Sequence, residues 1–326
     1  MMEFRTPVLP LRHEGLVVHD RPVIMLGSCF SDNIGRCLRD ALFDVNVNPY
    51  GTLYNPASIA SALGEIISCR RYGRGDLFMY EGRYHSFSHH SVFSGVSSES
   101  VLSGINSSIC LAHEMLQSAT VLCVTFGTAY VYRLADSGQV VSNCHKLPPS
   151  RFCRQAMAVD EIVGIWQPLV DRLLDFNPGI KIVFTVSPIR HLADGAHGNQ
   201  LSKSTLLLAV DKLVSMNQDE AIYFPAYEIM MDDLRDYRFY AGDMTHPSDV
   251  AVAYIYDCFS KSFFDEDTIA LARRCKKITR RLLHRPMSDD ELSVRRFADS
   301  TREALDALLS TRPCLKRAVD KILIAR

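Results

Sequence analysis

At 326 residues the chain has room for about two domains of ordinary size, or for one large domain with additions. With 47% hydrophobic and 22% charged residues it has the composition of a folded globular protein, which excludes disorder over most of its length. Its 36 basic residues against 37 acidic ones lack the positive excess of a nucleic-acid binder, and the short runs Arg70-Arg71 and Lys276 to Arg281 read as solvated helix surface.

No apolar run reaches the roughly 18 to 20 residues that span a bilayer, so no membrane is expected as a partner. Met1 to Arg12 contains Glu3, Arg5 and Arg12 and no apolar core of a signal peptide. The ten cysteines are scattered, with no C-x-x-C pair. Together these features predict free thiols and a cytoplasmic location.

Val23 to Leu26 is a short apolar run ending at Gly27-Ser28, the pattern of a buried strand feeding a tight turn. Ser31 and Asp32 open a helix that continues through Ile34, Leu38 and Leu42, and Asn55-Pro56 opens another. The aromatic, glycine-broken stretch 77–95 reads as an irregular or hairpin excursion, followed by a helix over 98–117. Thr120 to Phe126 is a second buried strand, again ending in glycine, and Asp136-Ser137-Gly138 is a turn between two short strands. A helix over 159–176, a strand over Lys181 to Val186, a helix over 200–217, a strand over Ala221 to Phe224 and a helix from Pro247 complete the pattern. Apolar strands alternating with helices predict βαβ units and a mainly parallel sheet covered on both faces. From Asp267 onward only helical spacing remains, so the expected organisation is an α/β domain over 1–265 and a helical C-terminal extension over 266–326.

In an open parallel sheet, ligands bind outside the carboxyl ends of the strands. The first such end delivers Gly27-Ser28-Cys29-Phe30-Ser31. A serine there is either a helix cap or a nucleophile whose own N–H helps hold an oxyanion. Asp243-Met244-Thr245-His246-Pro247 places a carboxylate and an imidazole on one side of a loop, where the carboxylate can orient a ring that takes a proton from serine.

Taken together, Gly27 to Ser31, Asn48-Pro49-Tyr50-Gly51, Phe126-Gly127-Thr128, Asn143-Cys144-His145-Lys146, Ser187 to His191 and Asp243 to Ser248 resemble the GSCFA family, a branch of the SGNH/GDSL hydrolase superfamily. The resemblance covers about residues 5–262. It implies a three-layer α/β/α, flavodoxin-like fold with Ser28 as nucleophile, His246 as base and Asp243 as its orienting partner. Gly51 would then share the oxyanion hole with the N–H of Ser28; as a residue on its own it reads equally as a turn glycine. The superfamily's third block is G-x-N, whereas this chain has Gly127-Thr128-Ala129, so Asn143 or Thr128 is expected to replace the missing asparagine.

His145 and Lys146 are candidate substrate contacts, as are Arg190 and His191, with Arg190 suited to grip a carboxylate or phosphate. His85, His89 and His90 lack acidic companions at usable spacing, so no metal is expected. No phosphate-binding glycine motif follows a strand, and no cofactor is expected. Cys29 is expected to point away from Ser28 into the sheet–helix contact as a small hydrophobe. The resulting reading is a serine-dependent esterase or acyl-transfer enzyme acting on a small ester such as an acylated carbohydrate. The alternative is a non-catalytic binding module on the same fold.

Overall fold

The computed structural model describes residues 6–284 and 290–324. In chain order its elements begin with β1 (Val23–Gly27), α1 (Cys29–Asp40), β2 (Val45–Val47), α2 (Pro56–Ile67), the hairpin β3 (Phe78–Tyr80) and β4 (Arg83–His85), and α3 (Ser98–Ser118). There follow β5 (Val121–Phe126), β6 (Tyr130–Leu134), β7 (Val140–Val141), β8 (Phe152–Ala156), α4 (Val159–Phe176) and β9 (Lys181–Val186). The chain continues with α5 (Gly195–Met216), β10 (Ala221–Tyr223), the single turn α6 (Ala226–Glu228), α7 (Asp249–Phe263), α8 (Glu266–Leu283), α9 (Glu291–Thr311) and α10 (Lys316–Ile324).

Five strands form one sheet in the order β10-β9-β5-β1-β2, and every neighbouring pair is parallel. This is a doubly wound α/β fold whose strand order reverses between β1 and β5. The side-chain period of 2 sorts each strand onto two faces. Ile24, Leu26, Val124, Phe126 and Phe184 pack with Ile59, Ile105, Trp166 and Leu206 from α2, α3, α4 and α5. Val23, Met25, Cys123 and Val183 pack on the other face with Ile34 and Leu38 of α1 and with Ile255 and Phe259 of α7. The three-layer, mainly parallel arrangement read from the sequence is therefore present.

Two strands escaped the sequence pattern. β2 is a three-residue edge strand, and β8 is largely exposed and joins β6 and β7 in a separate antiparallel sheet above the main one. Neither carries the long apolar run that marks the central strands.

The last helices pack at the amino-terminal end of the sheet. Leu271, Cys275, Leu305, Leu308 and Leu315 enclose Leu42, the residue just beyond α1. Asp44 receives Lys321 Nζ at 2.6 Å and lies 3.3 Å from Arg317, while its carbonyl accepts the N–H of Val23. The described residues of the C-terminal helices thus pack at the sheet end opposite to the strand ends that face ligands.

Gly27 has φ of 138°, and a Cβ on it would lie 2.2 Å from the carbonyl oxygen of Thr125 on β5. Gly27→Ala is therefore expected to lower the unfolding free energy by about 3 kcal/mol or more. Thermal unfolding measures this, and an unchanged transition would show that β1 and β5 separate freely.

Candidate active site

The end of β1 turns directly into α1. Ser28 caps the helix with φ −68° and ψ 172°, and its Oγ accepts the N–H of Phe30 at 3.3 Å. Its own N–H donates to Thr125 O at 3.2 Å, and the residue is 1% exposed. The hydroxyl expected to be the nucleophile is thus turned back onto the helix and makes no bond to His246. The capping reading of this serine prevails, because a cap side chain returns to the first free N–H groups of its own helix.

Cys29, the first helical residue, occupies the place expected of Ser28. Its Sγ lies 3.7 Å from His246 Nε2, and it lines a cavity of about 530 Å³. Cys29 is half-buried and does pack against the sheet–helix core as expected, but its Sγ also opens onto the cavity over the strand end, where it meets His246. Burial, and then the charge of Asp32, push its thiol up to about 11.

His246 Nδ1 donates to Asp243 Oδ2 at 2.6 Å. Asp243 Oδ1 accepts the N–H groups of Thr245 and His246, both at 2.9 Å. Those backbone bonds, followed by the imidazole, hold the Asp243 carboxyl well below the usual carboxylate range. The loop closes on itself, with Ala241 N donating to His246 O at 2.7 Å and Met244, at φ 59°, donating to Ala241 O at 2.9 Å. Both residues, Asp243 and His246, are exposed, and His246 lines the cavity.

The remaining expected positions divide. Gly51 is a turn glycine: its N–H donates to Asn48 O at 2.7 Å, φ is 75°, and a Cβ there would lie 2.2 Å from His90. It cannot offer that N–H to an oxyanion. Thr128 lines the cavity, but its Oγ1 bonds Ser202 at 3.2 Å and accepts Tyr130 N at 3.2 Å. Asn143 also lines it, on the outer wall, with Oδ1 accepting His145 N at 2.8 Å. His145 is buried outside the cavity, donating Nε2 to Ser86 O at 2.8 Å beside His85, and burial lowers its imidazole pKa. Lys146 is exposed and outside the cavity lining. His145 and Lys146 are thus turn residues in the left-handed region, with φ of 49° and 60°, rather than site residues.

Arg190 and His191 do line the cavity. His191 packs edge-on against Tyr54 and is pushed down to about 4 by burial and by the charge of Lys203.

Two residues at the strand ends carried no site signal in the sequence. Lys203 is fully buried, donates Nζ to Gly127 O at 2.6 Å and to Ser187 O at 2.8 Å, and is pushed down to about 7 by burial. It ties the carboxyl ends of β5 and β9 together. Asn55 reads in the sequence only as a cap of α2, and its Oδ1 does accept Ser58 N at 2.8 Å. That bond turns Nδ2 away from the helix, with no acceptor among the described residues, in a residue that lines the cavity. Its segment is held at the turn from β1 into α1: Leu53 N donates to Gly27 O, and Tyr54 O accepts Gly127 N and Thr128 N.

These features define a doubly wound α/β protein with a cavity at the carboxyl edge of the sheet. The GSCFA family pattern matches residues 22–259, and the chain belongs to the GSCFA family. No curated protein matches the chain. Among solved structures it is similar to a Corynascus thermopiles (Myceliophthora fergusii) carbohydrate esterase family 2 enzyme with a carbohydrate binding domain, at 12% identity and a TM-score of 0.40, covering 82% of this chain and 68% of that one. It is also similar to an acetyl xylan esterase from the rumen bacterium Butyrivibrio proteoclasticus, at 11% identity and a TM-score of 0.38, covering 75% of this chain and 64% of that one. Likenesses this slight carry no argument about chemistry. Among the described residues no helix is long and apolar enough to cross a membrane.

With the Cys29 thiol raised to about 11, its alkylation by iodoacetamide is expected to climb about tenfold per pH unit between roughly pH 7 and 10, tracking the thiolate fraction. Site-resolved mass spectrometry checks this; a rate already flat at neutral pH would show a thiolate stabilised by its surroundings.

Proposed function

We propose that this chain is a thiol-dependent esterase or acyl-transfer enzyme, with Cys29 as nucleophile, His246 as general base and Asp243 as its orienting partner. The observation that carries the reading is Cys29 Sγ at 3.7 Å from His246 Nε2, with Asp243 bonded to the other ring nitrogen. Sequence alone favours Ser28, but the geometry favours its neighbour.

The chemistry follows from that arrangement. A thiol raised to about 11 is protonated at neutral pH, so the proton leaves during attack rather than before it. Sγ bonds to the ester carbonyl carbon, the carbonyl electron pair moves to oxygen, and His246 Nε2 takes the thiol proton. As the first helical residue, Cys29 has a backbone N–H without an intrahelical acceptor, which is one oxyanion donor. Asn55 Nδ2 supplies the second, in the role expected of Asn143 or Thr128. Collapse expels the alcohol, which leaves with the proton from His246, and a thioester on Cys29 remains. Water resolves it in hydrolysis and an acceptor hydroxyl resolves it in transfer, with His246 again taking the proton.

A cavity of about 530 Å³ suits a small ester. Tyr54, Tyr130 and Tyr132 line it, and Arg154 lies 3.9 Å from the Tyr130 ring centre. Flat aromatic faces beside amide and guanidinium donors suit an acylated carbohydrate.

The first test is turnover of 4-nitrophenyl acetate with mass analysis for an acetyl group on Cys29. Cys29→Ala and His246→Ala are each expected to lower turnover by about a thousandfold or more. Ser28→Ala is expected to leave turnover within about threefold and to cost about 1 kcal/mol of stability through the lost cap. The reverse pattern would restore Ser28 as nucleophile, and a wild type that neither turns over nor becomes acylated would leave a binding module.

Asn55→Asp separates the donor from the cap. Aspartate still accepts Ser58 N, so the unfolding transition is expected to hold. Loss of the Nδ2 donor is expected to lower kcat by about a hundred- to a thousandfold. Undiminished kcat would remove Asn55 from the oxyanion hole.

A further inference from the structure

Arg190 stands at the junction of two cavities. It lines the one that holds Cys29 and His246, and also a second of about 490 Å³ whose lining includes Met230, Met231, Tyr240, Met244 and one carboxylate, Asp236, which is paired with Arg238. Its backbone N–H donates to Thr245 O at 3.2 Å, which fixes the residue beside the His246 loop. Its side chain reaches Met231, with Nη2 3.2 Å from Sδ, and a thioether is a weak acceptor.

No carboxylate of the described residues forms an ion pair with this guanidinium. The contrast lies across the same cavity, where Arg154 is bonded to Asp194 and sits over the rings of Tyr130 and Tyr132. The nearby buried cation Lys203 has the same sign as Arg190 and feels its charge. A half-buried guanidinium offers five N–H donors in a rigid fork, and here one weak acceptor answers them. A charge withdrawn from water without a counter-ion is costly, and the group that relieves it is a planar or tetrahedral anion bound by two parallel bonds.

We propose that the substrate of this site carries a carboxylate or phosphate in addition to its acyl bond, and that Arg190 holds that anion beside Cys29 and His246. This rests on the acyl-transfer reading above and narrows it from small esters in general to anionic ones. The anion need not take part in bond making; it fixes which carbonyl is presented to Sγ.

The test compares three 4-nitrophenyl esters: the glutaric acid monoester with a free carboxylate, its neutral methyl ester, and a phosphonate of matching length. In the wild type the anionic-to-neutral ratio of kcat/KM is expected to be about tenfold or more, as charge-assisted hydrogen bonds provide. Arg190→Met is expected to bring the ratio close to one, and Arg190→Lys to give an intermediate value. Whichever anionic ester shows the larger ratio identifies carboxylate or phosphate as the recognised group. A wild-type ratio near one, or a ratio that Arg190→Met leaves unchanged, overturns the proposal. A second readout needs no turnover: glutarate or phosphate, but not glutaramide, slows alkylation of Cys29 by iodoacetamide in the wild type and not in Arg190→Met. If no ester is turned over but this protection appears, the anion site stands and the acyl-transfer reading falls. If neither anion protects, the anion site falls.

Discussion

The close approach of β1 to β5 at Gly27 governs what the site can be. The backbones come so near that Thr125 O fills the space of a side chain, and the same oxygen accepts the N–H of Ser28. Only glycine satisfies both that contact and a φ of 138°. The chain therefore leaves the strand without a loop, and α1 begins two residues later. The abruptness sets the order of the site: residue 28 becomes a cap, and residue 29 becomes the first outward-facing side chain beside a helix N-terminus.

Around that turn the strand ends are fixed by buried polar contacts. Lys203 joins Gly127 to Ser187, Tyr54 accepts the N–H groups of Gly127 and Thr128, and Leu53 donates to Gly27. Each bond satisfies a backbone group at the carboxyl edge, where the ladder ends and partners would otherwise be water. Among the polar groups that this frame leaves without a strong partner, the Asn55 amide, the His191 Nε2 and the Arg190 guanidinium belong to residues that line the cavity.

Much of this was legible in the residues. The three long strands β1, β5 and β9 announced themselves because a strand covered on both faces reads as a nearly continuous apolar run, and Asn55-Pro56 marked a helix start because cap and proline each have one favoured place. The Asp243–His246 pair was legible because it is local, three residues apart in a loop that bonds to itself. What stayed hidden was orientation. Ser28 and Cys29 are adjacent, and choosing between them requires knowing which one the helix claims as its cap. His145 and Lys146 were expected in the site because they follow a strand region, but their left-handed backbone turns them out of it. Gly51 carries a turn glycine's conformation for the same reason. Arg190 and Lys203 could not be weighed without knowing which cations find a carboxylate, and that depends on contacts between distant segments.

The Asp243–His246 loop is a closed unit. Its hydrogen bonds run from Ala241 to His246, from Met244 to Ala241 and from Asp243 to its own neighbours. It supplies His246 to the cavity wall, and Arg190 leans on it through the bond from its N–H to Thr245 O. In hereditary terms the pair is a compact part: on the reading proposed above, substitutions at positions 243 and 246 alone would remove proton transfer while Cys29 and the sheet stay as they are. On that reading, the distance from catalyst to receptor is no more than the six codons of positions 241 to 246.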